Sequence, residues 1–253
     1  MPRTPMIAGN WKMNTLRAEA LELVRTLRTR VDGVSGVDKL VCPPYVFLHD
    51  VRAALDGSTI AVGAQNAYWE EKGAFTGEIS VTQVAEACEY VIIGHSERRQ
   101  LFGETDETVN RRVKAALSHG LKPIMCVGET LEQRQANQTA DVLVRQAHGG
   151  LDGVTVGPEF VVAYEPVWAI GTGLAADGAI AEEAIALIRN TVREVAGLVA
   201  DSVRILYGGS VTPDNIAEFM AQPDVDGGLV GGASLKADVF AAIIENTAAG
   251  LRA

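Results

Sequence analysis

Cysteine, positive charge and long apolar runs are all scarce in this sequence, and each scarcity closes off a class of protein. Only 3 cysteines occur, Cys42, Cys88 and Cys126. The odd count and the lack of any C-x-x-C pair argue against a disulfide framework and against a cysteine–histidine metal site, and they favour a reducing, cytoplasmic setting. The 22 lysines and arginines face 32 acidic residues, a net charge of −10. That balance argues against a general surface for nucleic acid or for an anionic membrane. An anionic substrate would have to be held by a local device, such as one lysine or a set of backbone amides. No apolar run approaches the roughly 20 residues a membrane helix needs. The start, Met1-Pro2-Arg3-Thr4-Pro5, lacks the apolar centre of a signal peptide. Aromatic residues make up only 6% of the chain while aliphatic residues are abundant, as in α/β proteins with buried parallel strands.

What is present is a rhythm. Short apolar runs recur at 6–8, 40–42, 60–63, 90–93, 123–127, 160–164, 203–207 and 228–230. Their mean spacing is roughly 30 residues, the length of one βα unit. Helical stripes lie between them: Leu16, Ala20, Leu23, Val24, Leu27 and Val31; Val109, Val113, Ala116 and Leu117; Ala181, Ala184, Ile185, Ile188, Val192 and Val195. Thr105 and Asp177 are placed to cap helix starts. Strands alternating with helices predict parallel pairing through right-handed crossovers. At 253 residues the expected architecture is an α/β fold closed into an eight-stranded (β/α)8 barrel, with a doubly wound open sheet as the alternative. No linker or composition break divides the chain, so residues 1–253 read as a single domain.

In such a barrel the chemistry sits at the C-terminal ends of the strands. Five segments then converge on one mouth: Gly9-Asn10-Trp11-Lys12, Gly94-His95-Ser96-Glu97-Arg98-Arg99, Glu165 at the end of the sixth run, Gly208-Gly209-Ser210, and Gly231-Gly232-Ala233-Ser234. The two glycine pairs leave backbone N–H groups open to an anion, and the second pair opens a helix whose N-terminus favours negative charge. Lys12 supplies the local positive charge. His95 begins a short helix over 96–101, where the helix field disfavours an imidazolium and predicts a neutral ring. Glu165 is followed at once by Pro166 and then by Val167, Trp168 and Ile170, ending in Gly171-Thr172-Gly173. That stretch reads either as a hydrophobic lid hinged at glycines or as an ordinary loop packed on a helix. A carboxylate base facing a neutral hydrogen-bond donor beside a phosphate site suits proton abstraction next to a carbonyl. Lys12 and Asn10 would stabilise the enediolate that results.

With these residues placed, the sequence closely resembles the triosephosphate isomerase family, nearly end to end. The resemblance rests on Gly9–Asn14, Gly63–Asn66, Gly73–Ser80, Gly94–Arg99, Ala163–Gly173, Tyr207–Val211 and Leu229–Leu235. It implies a TIM barrel that interconverts dihydroxyacetone phosphate and glyceraldehyde 3-phosphate, with no cofactor and no metal. It implies Glu165 as the base, His95 as the electrophile, and Lys12 and Asn10 as substrate contacts. The amides around Gly171, Ser210, Gly231 and Gly232 would hold the phosphate, and Glu97 would support the lysine. It also implies a homodimer in which the loop 65–78 enters the neighbouring subunit, with Thr76 at its tip behind Asn10 and Lys12. The chain departs from the family at Leu174-Ala175-Ala176, where a Lys-Thr-Ala hinge is common, and at Ala67-Tyr68, where a cysteine often follows the asparagine.

Three rivals stand beside this. A Schiff-base aldolase needs a buried lysine on a barrel strand, and the sixth run ends in Glu165 instead. A dinucleotide enzyme would use Gly171-Thr172-Gly173-Leu174-Ala175-Ala176 as its fingerprint, but that motif should follow its strand directly. A binding scaffold on a dead barrel would be expected to have lost Lys12, His95 or Glu165.

Overall fold

The computed structural model describes residues 3–169 and 176–251. Its chain order is β1 (Met6–Asn10), α1 (Arg17–Val31), β2 (Asp38–Cys42), α2 (Leu48–Ala54), β3 (Ile60–Ala64), α3 (Val81–Ala85), β4 (Tyr90–Ile93), α4 (Ser96–Leu101) and α5 (Asp106–Ser118). It continues with β5 (Lys122–Val127), α6 (Leu131–Gln135), α7 (Thr139–Leu151), β6 (Val161–Tyr164), α8 (Gly178–Ala196), β7 (Arg204–Tyr207), α9 (Ile216–Met220), β8 (Gly227–Val230) and α10 (Ala237–Gly250). Each of the eight apolar runs is a strand, and each strand pairs in parallel with the next. The ring closes where β8 meets β1, from Met6↔Gly227 to Gly9↔Val230. The closed barrel is therefore the architecture, and the open sheet is excluded.

Strand side chains alternate across the sheet. One set, including Met6, Ala8, Leu40, Tyr90, Ile92, Ile124, Cys126, Val161, Ala163, Leu206 and Leu229, packs inside the ring. The other set meets the helices in a second, larger apolar layer. The helix stripes follow their period: Ala181, Ala184, Ile185, Ile188 and Val192 of α8 are all buried. Full burial of one such isoleucine is worth about 1.5–3 kcal/mol. Two expected members of these stripes fall outside the core. Leu16 is the exposed N-cap of α1, and Val195 lies exposed in the last turn of α8. Both sit at a helix end, where the chain turns away from the barrel. Thr105 and Asp177 cap α5 and α8, accepting the N–H groups of Thr108 and Ile180. Among the described residues, no helix is long and apolar enough to cross a membrane.

The alternation also sets the rim. Two residues beyond Ala8 stands Asn10, and two beyond Ala163 stands Glu165. By the same count Gly94, Gly128, Gly208 and Gly231 follow Ile92, Cys126, Leu206 and Leu229. The layer at the C-terminal mouth thus carries a few polar side chains among glycines, and the glycines leave a hollow.

Candidate active site

Asn10 ends β1, and its Oδ1 accepts the N–H of Lys12 at 3.0 Å. This contact bends the chain back over the mouth and holds Lys12 at φ 53°, a conformation uncommon for a residue with a Cβ. Gln65 braces the bend, donating to the carbonyl oxygens of Lys12 (2.8 Å) and Cys42 (2.9 Å). The Lys12 ammonium meets Glu97 Oε1 at 2.5 Å.

β4 is followed by Gly94, whose φ of +70° starts the turn into α4. A Cβ there would stand 2.6 Å from Val109 Cγ2, so both the torsion and the space call for glycine. His95 follows as the N-cap of α4 and is buried. Its Nδ1 accepts the Glu97 N–H at 3.2 Å, and its Nε2 lies 2.8 Å from Glu165 Oε1. Two influences on this ring disagree. Burial is the largest single influence and disfavours its charged form, but the Glu165 and Glu97 carboxylates together outweigh it, so the pKa stands above its ordinary value. The hydrogen bond decides the form in this geometry. A proton on Nδ1 would set two N–H groups against each other, so the ring is neutral and its hydrogen sits on Nε2, donated to Glu165.

Glu165 is 2% exposed. Its N–H donates to the Val127 carbonyl at 2.8 Å, and its Oε2 accepts the Ser96 N–H at 2.8 Å. Burial alone would raise its pKa. The contacts with His95, the Ser96 amide and Lys12 together outweigh that and hold it below 4.5. Glycines flank it on both neighbouring strands. A Cβ on Gly128 would fall 1.8 Å from the Glu165 carbonyl oxygen, and one on Gly208 would fall 2.9 Å from its Cγ. Cys126, one layer below, is pushed up by burial and by the same carboxylate.

The other half of the mouth is backbone. Gly208, Gly209, Ser210, Gly231 and Gly232 line one hollow of about 340 Å³ together with Asn10, Lys12, His95 and Glu165. Among the described residues lining it, Lys12 is the only lysine or arginine. Ser210 is fixed by its Oγ donating to the Ala169 carbonyl at 3.1 Å and by Asn215 donating to its own carbonyl at 3.0 Å. The helix expected to open at Gly231-Gly232 is a single 3-10 turn, Gly232–Leu235, and α10 starts only at Ala237. Gly231 and Gly232 still line the hollow, but a four-residue turn carries little of a long helix's field.

Two of the expected positions are not tested by this arrangement. Gly171, with Ile170 and the Leu174-Ala175 part of the hinge, lies outside the described residues. Thr76 is exposed, and no described hydrogen bond of this chain ties it to Asn10 or Lys12. The start of the apolar stretch after Glu165 is packed down: Val167–Ala169 forms a 3-10 turn with Trp168 and Ala169 buried. Trp168 Nε1 donates to Glu129 Oε1 at 2.8 Å, and the Tyr164 hydroxyl reaches the same oxygen at 3.1 Å. Sequence reasoning passes over Glu129 and the Ser96 amide. The strand-end rule reaches Gly128-Glu129-Thr130 after β5, but neither a glycine pair nor a histidine marks it.

Comparison with known proteins follows from this geometry. A family profile described as triosephosphate isomerase matches residues 5–247. The triosephosphate isomerase of Moorella thermoacetica is 55% identical over 245 residues, covering 96% of this chain and 98% of that protein. That of Citrifermentans bemidjiense is 54% identical over 247 residues, covering 96% and 98%. The crystal structure of triosephosphate isomerase from Bartonella henselae superposes with a TM-score of 0.89 at 38% identity, covering 96% of this chain and 98% of that one.

Proposed function

The chain belongs to the triosephosphate isomerase family, and we infer from that membership how its site divides the labour of the reaction. The enzyme is an aldose–ketose isomerase that interconverts dihydroxyacetone phosphate and D-glyceraldehyde 3-phosphate. Glu165 removes a proton from the carbon next to the substrate carbonyl and returns it to the adjacent carbon. Between these steps the substrate is an enediol or enediolate. The His95 Nε2–H, donated to Glu165 at 2.8 Å in the free enzyme, turns its hydrogen bond to a substrate oxygen when the triose enters. A neutral donor suits this role, because its hydrogen bond strengthens as charge develops on that oxygen. Lys12 and Asn10 face the same charge, and Glu97 holds the lysine at 2.5 Å. The amides of Ser210, Gly231 and Gly232, with Gly171, take the phosphate. No cofactor or metal is assigned to the reaction.

The observation that carries this reading is that carboxylate, imidazole, ammonium and the glycine-rich amides line one hollow of about 340 Å³. A triose phosphate, small and dianionic, fits a site with one lysine and open backbone donors in a chain of net charge −10. Two further readings complete the proposal. The protein acts as a homodimer through the loop 65–78, which would bring Thr76 behind the partner's site. It works in the cytoplasm, where Cys42, Cys88 and Cys126, all free and buried, stay reduced.

The test is a coupled isomerase assay on the wild type and Glu165→Asp. The shorter side chain withdraws the base by roughly 1 Å, a displacement that costs on the order of 100-fold in rate. An unchanged turnover number would remove Glu165 from its role.

A further inference from the structure

The end of β5 presents an unusual accounting problem. β4 stops pairing at Ile93↔Met125 and swings away to deliver His95. β5 and its extension run on beside Glu165, so their outer edge has lost its neighbouring strand. Backbone N–H and C=O groups buried on such an edge need other partners. Two side chains supply them. Arg99 bridges the Gly94 carbonyl (2.9 Å) and the Cys126 carbonyl (3.3 Å). Gln146, reaching in from α7, pairs with both polar groups of Gly128: its Oε1 accepts the Gly128 N–H at 2.7 Å and its Nε2 donates to the Gly128 carbonyl at 3.2 Å.

A primary amide presents the same donor and acceptor as a peptide unit. The buried Gln146 therefore stands in for the missing stretch of β4. What it holds matters, because Gly128 is the residue against which the Glu165 carbonyl is packed. The neighbouring ladder bonds, Glu165 N–H to Val127 and Val167 N–H to Glu129, start from the same segment. Packing alone does not fix that segment. A cavity of about 310 Å³, lined by Ser96, Arg99, Gly128, Gln146, Glu165 and Val167 among others, lies directly behind it. The strand end has room to move once the amide is gone.

We propose that Gln146 is a positioning residue for the reaction: its side-chain amide clamps Gly128 and so sets where the Glu165 backbone stands relative to the substrate. This rests on Glu165 being the base. The phosphate end, at Ser210, Gly231 and Gly232, is on other strands and is untouched.

Two variants test the clamp. Gln146→Met keeps the length and volume but removes both hydrogen bonds. The expected result is a fall in kcat of about 10- to 100-fold with KM within about threefold of wild type, since loosening misplaces the base and not the phosphate grip. Gln146→Glu gives a rescue. When protonated, the new carboxyl offers one acceptor and one donor as the amide does. When ionised, it loses the donor and sets an oxygen against the Gly128 carbonyl. The ratio of its kcat to that of the wild type should climb as pH falls. A purely structural role would lower the melting temperature of both variants and leave this ratio flat. A kcat for Gln146→Met within twofold of wild type overturns the proposal, and so does a flat ratio for Gln146→Glu, which decides the matter if the methionine variant does not fold. If Glu165→Asp is itself harmless, the base assignment fails first. If Glu165→Asp is crippled and Gln146→Met is not, the clamp alone fails.

Discussion

Glu165 commits both carboxylate oxygens to the protein, one to His95 and one to the Ser96 amide. A buried carboxylate with no such partners would bind a proton more tightly than in water; here the partners reverse the sign and the pKa is lowered from 4.5. The consequence for stability has a definite direction. A group whose folded pKa lies below its unfolded one stabilises the fold above the unfolded value, and that contribution disappears as pH falls through the folded value. Because the same carboxylate raises the His95 pKa, the stability difference between wild type and Glu165→Gln should widen as pH falls through the histidine range and then shrink below the ordinary glutamate range. Urea unfolding of both proteins at a series of pH values measures it. A difference that goes on growing below the ordinary glutamate range would mean that burial, not the hydrogen bonds, governs this side chain. The same residue-scale logic applies to Lys12. Its left-handed backbone is tolerated because Asn10 and Gln65 over-determine the bend, and the result is an ammonium at a hollow with no other lysine or arginine among the described residues lining it.

At the scale of elements, the barrel depends on seams where two backbones approach more closely than a side chain allows. Gly227 has φ +134°, and a Cβ there would lie 1.9 Å from the Met6 carbonyl oxygen, on the pairing that closes the ring. Gly227→Ala should pry β8 from β1 and cost more than about 4 kcal/mol, the range reserved for strained backbone and broken core structure. Thermal melting reads this directly, and a loss under about 0.5 kcal/mol, the scale of a surface change, would refute the tight seam. The strands themselves were legible because short continuous apolar and β-branched runs are local signals, as at Tyr90–Ile93 and Val161–Tyr164, where every residue is buried. So were the residues at their C-terminal ends, since a closed barrel sends every strand end to one rim. Partners drawn from distant elements were not legible. Nothing near Gln146 in sequence announces Gly128, and nothing near Ser96 announces Glu165, because those contacts exist only after β4 and β5 have parted. The helix ends failed for a related reason: Leu16 and Val195 keep the apolar period of their helices but lie where the axis has left the core.

At the scale of the whole molecule, one side of the barrel mouth is too apolar for water. Met13, Val46, Phe75, Leu101 and Phe102 are all exposed. They follow β1, β2, β3 and β4, which are neighbours in the ring, so the loops carrying them occupy one sector. Within it, Tyr68 stacks on Trp69 and contacts Phe75, while Arg111 and Arg112 lie over the Trp69 ring. The loop is thus built rigidly enough to dock without first being ordered, which lowers the entropic cost of association. Scattered exposed apolar residues are ordinary, but a group of them on neighbouring, preorganised loops is what the proposed homodimer would cover. A stable contact of this kind buries on the order of 800 Å² per partner. The protein should therefore sediment at about twice the 26.8 kDa of one chain. Phe75→Asp places a carboxylate in the centre of that contact, and burying an unpaired charge there costs several kcal/mol. It should shift the protein to monomer and cut kcat by at least about tenfold, because the loop carrying Lys12 would lose the support that the proposed dimer gives it. Leu198→Asp supplies the control: Leu198 is more exposed than Phe75 but follows α8 in the turn Gly197–Asp201, away from these loops, and its variant should remain dimeric and fully active. A wild type that is monomeric at assay concentration and still turns over at full rate would leave the apolar sector without this role, and Lys12 would then be held by Asn10, Gln65 and Glu97 of its own chain alone.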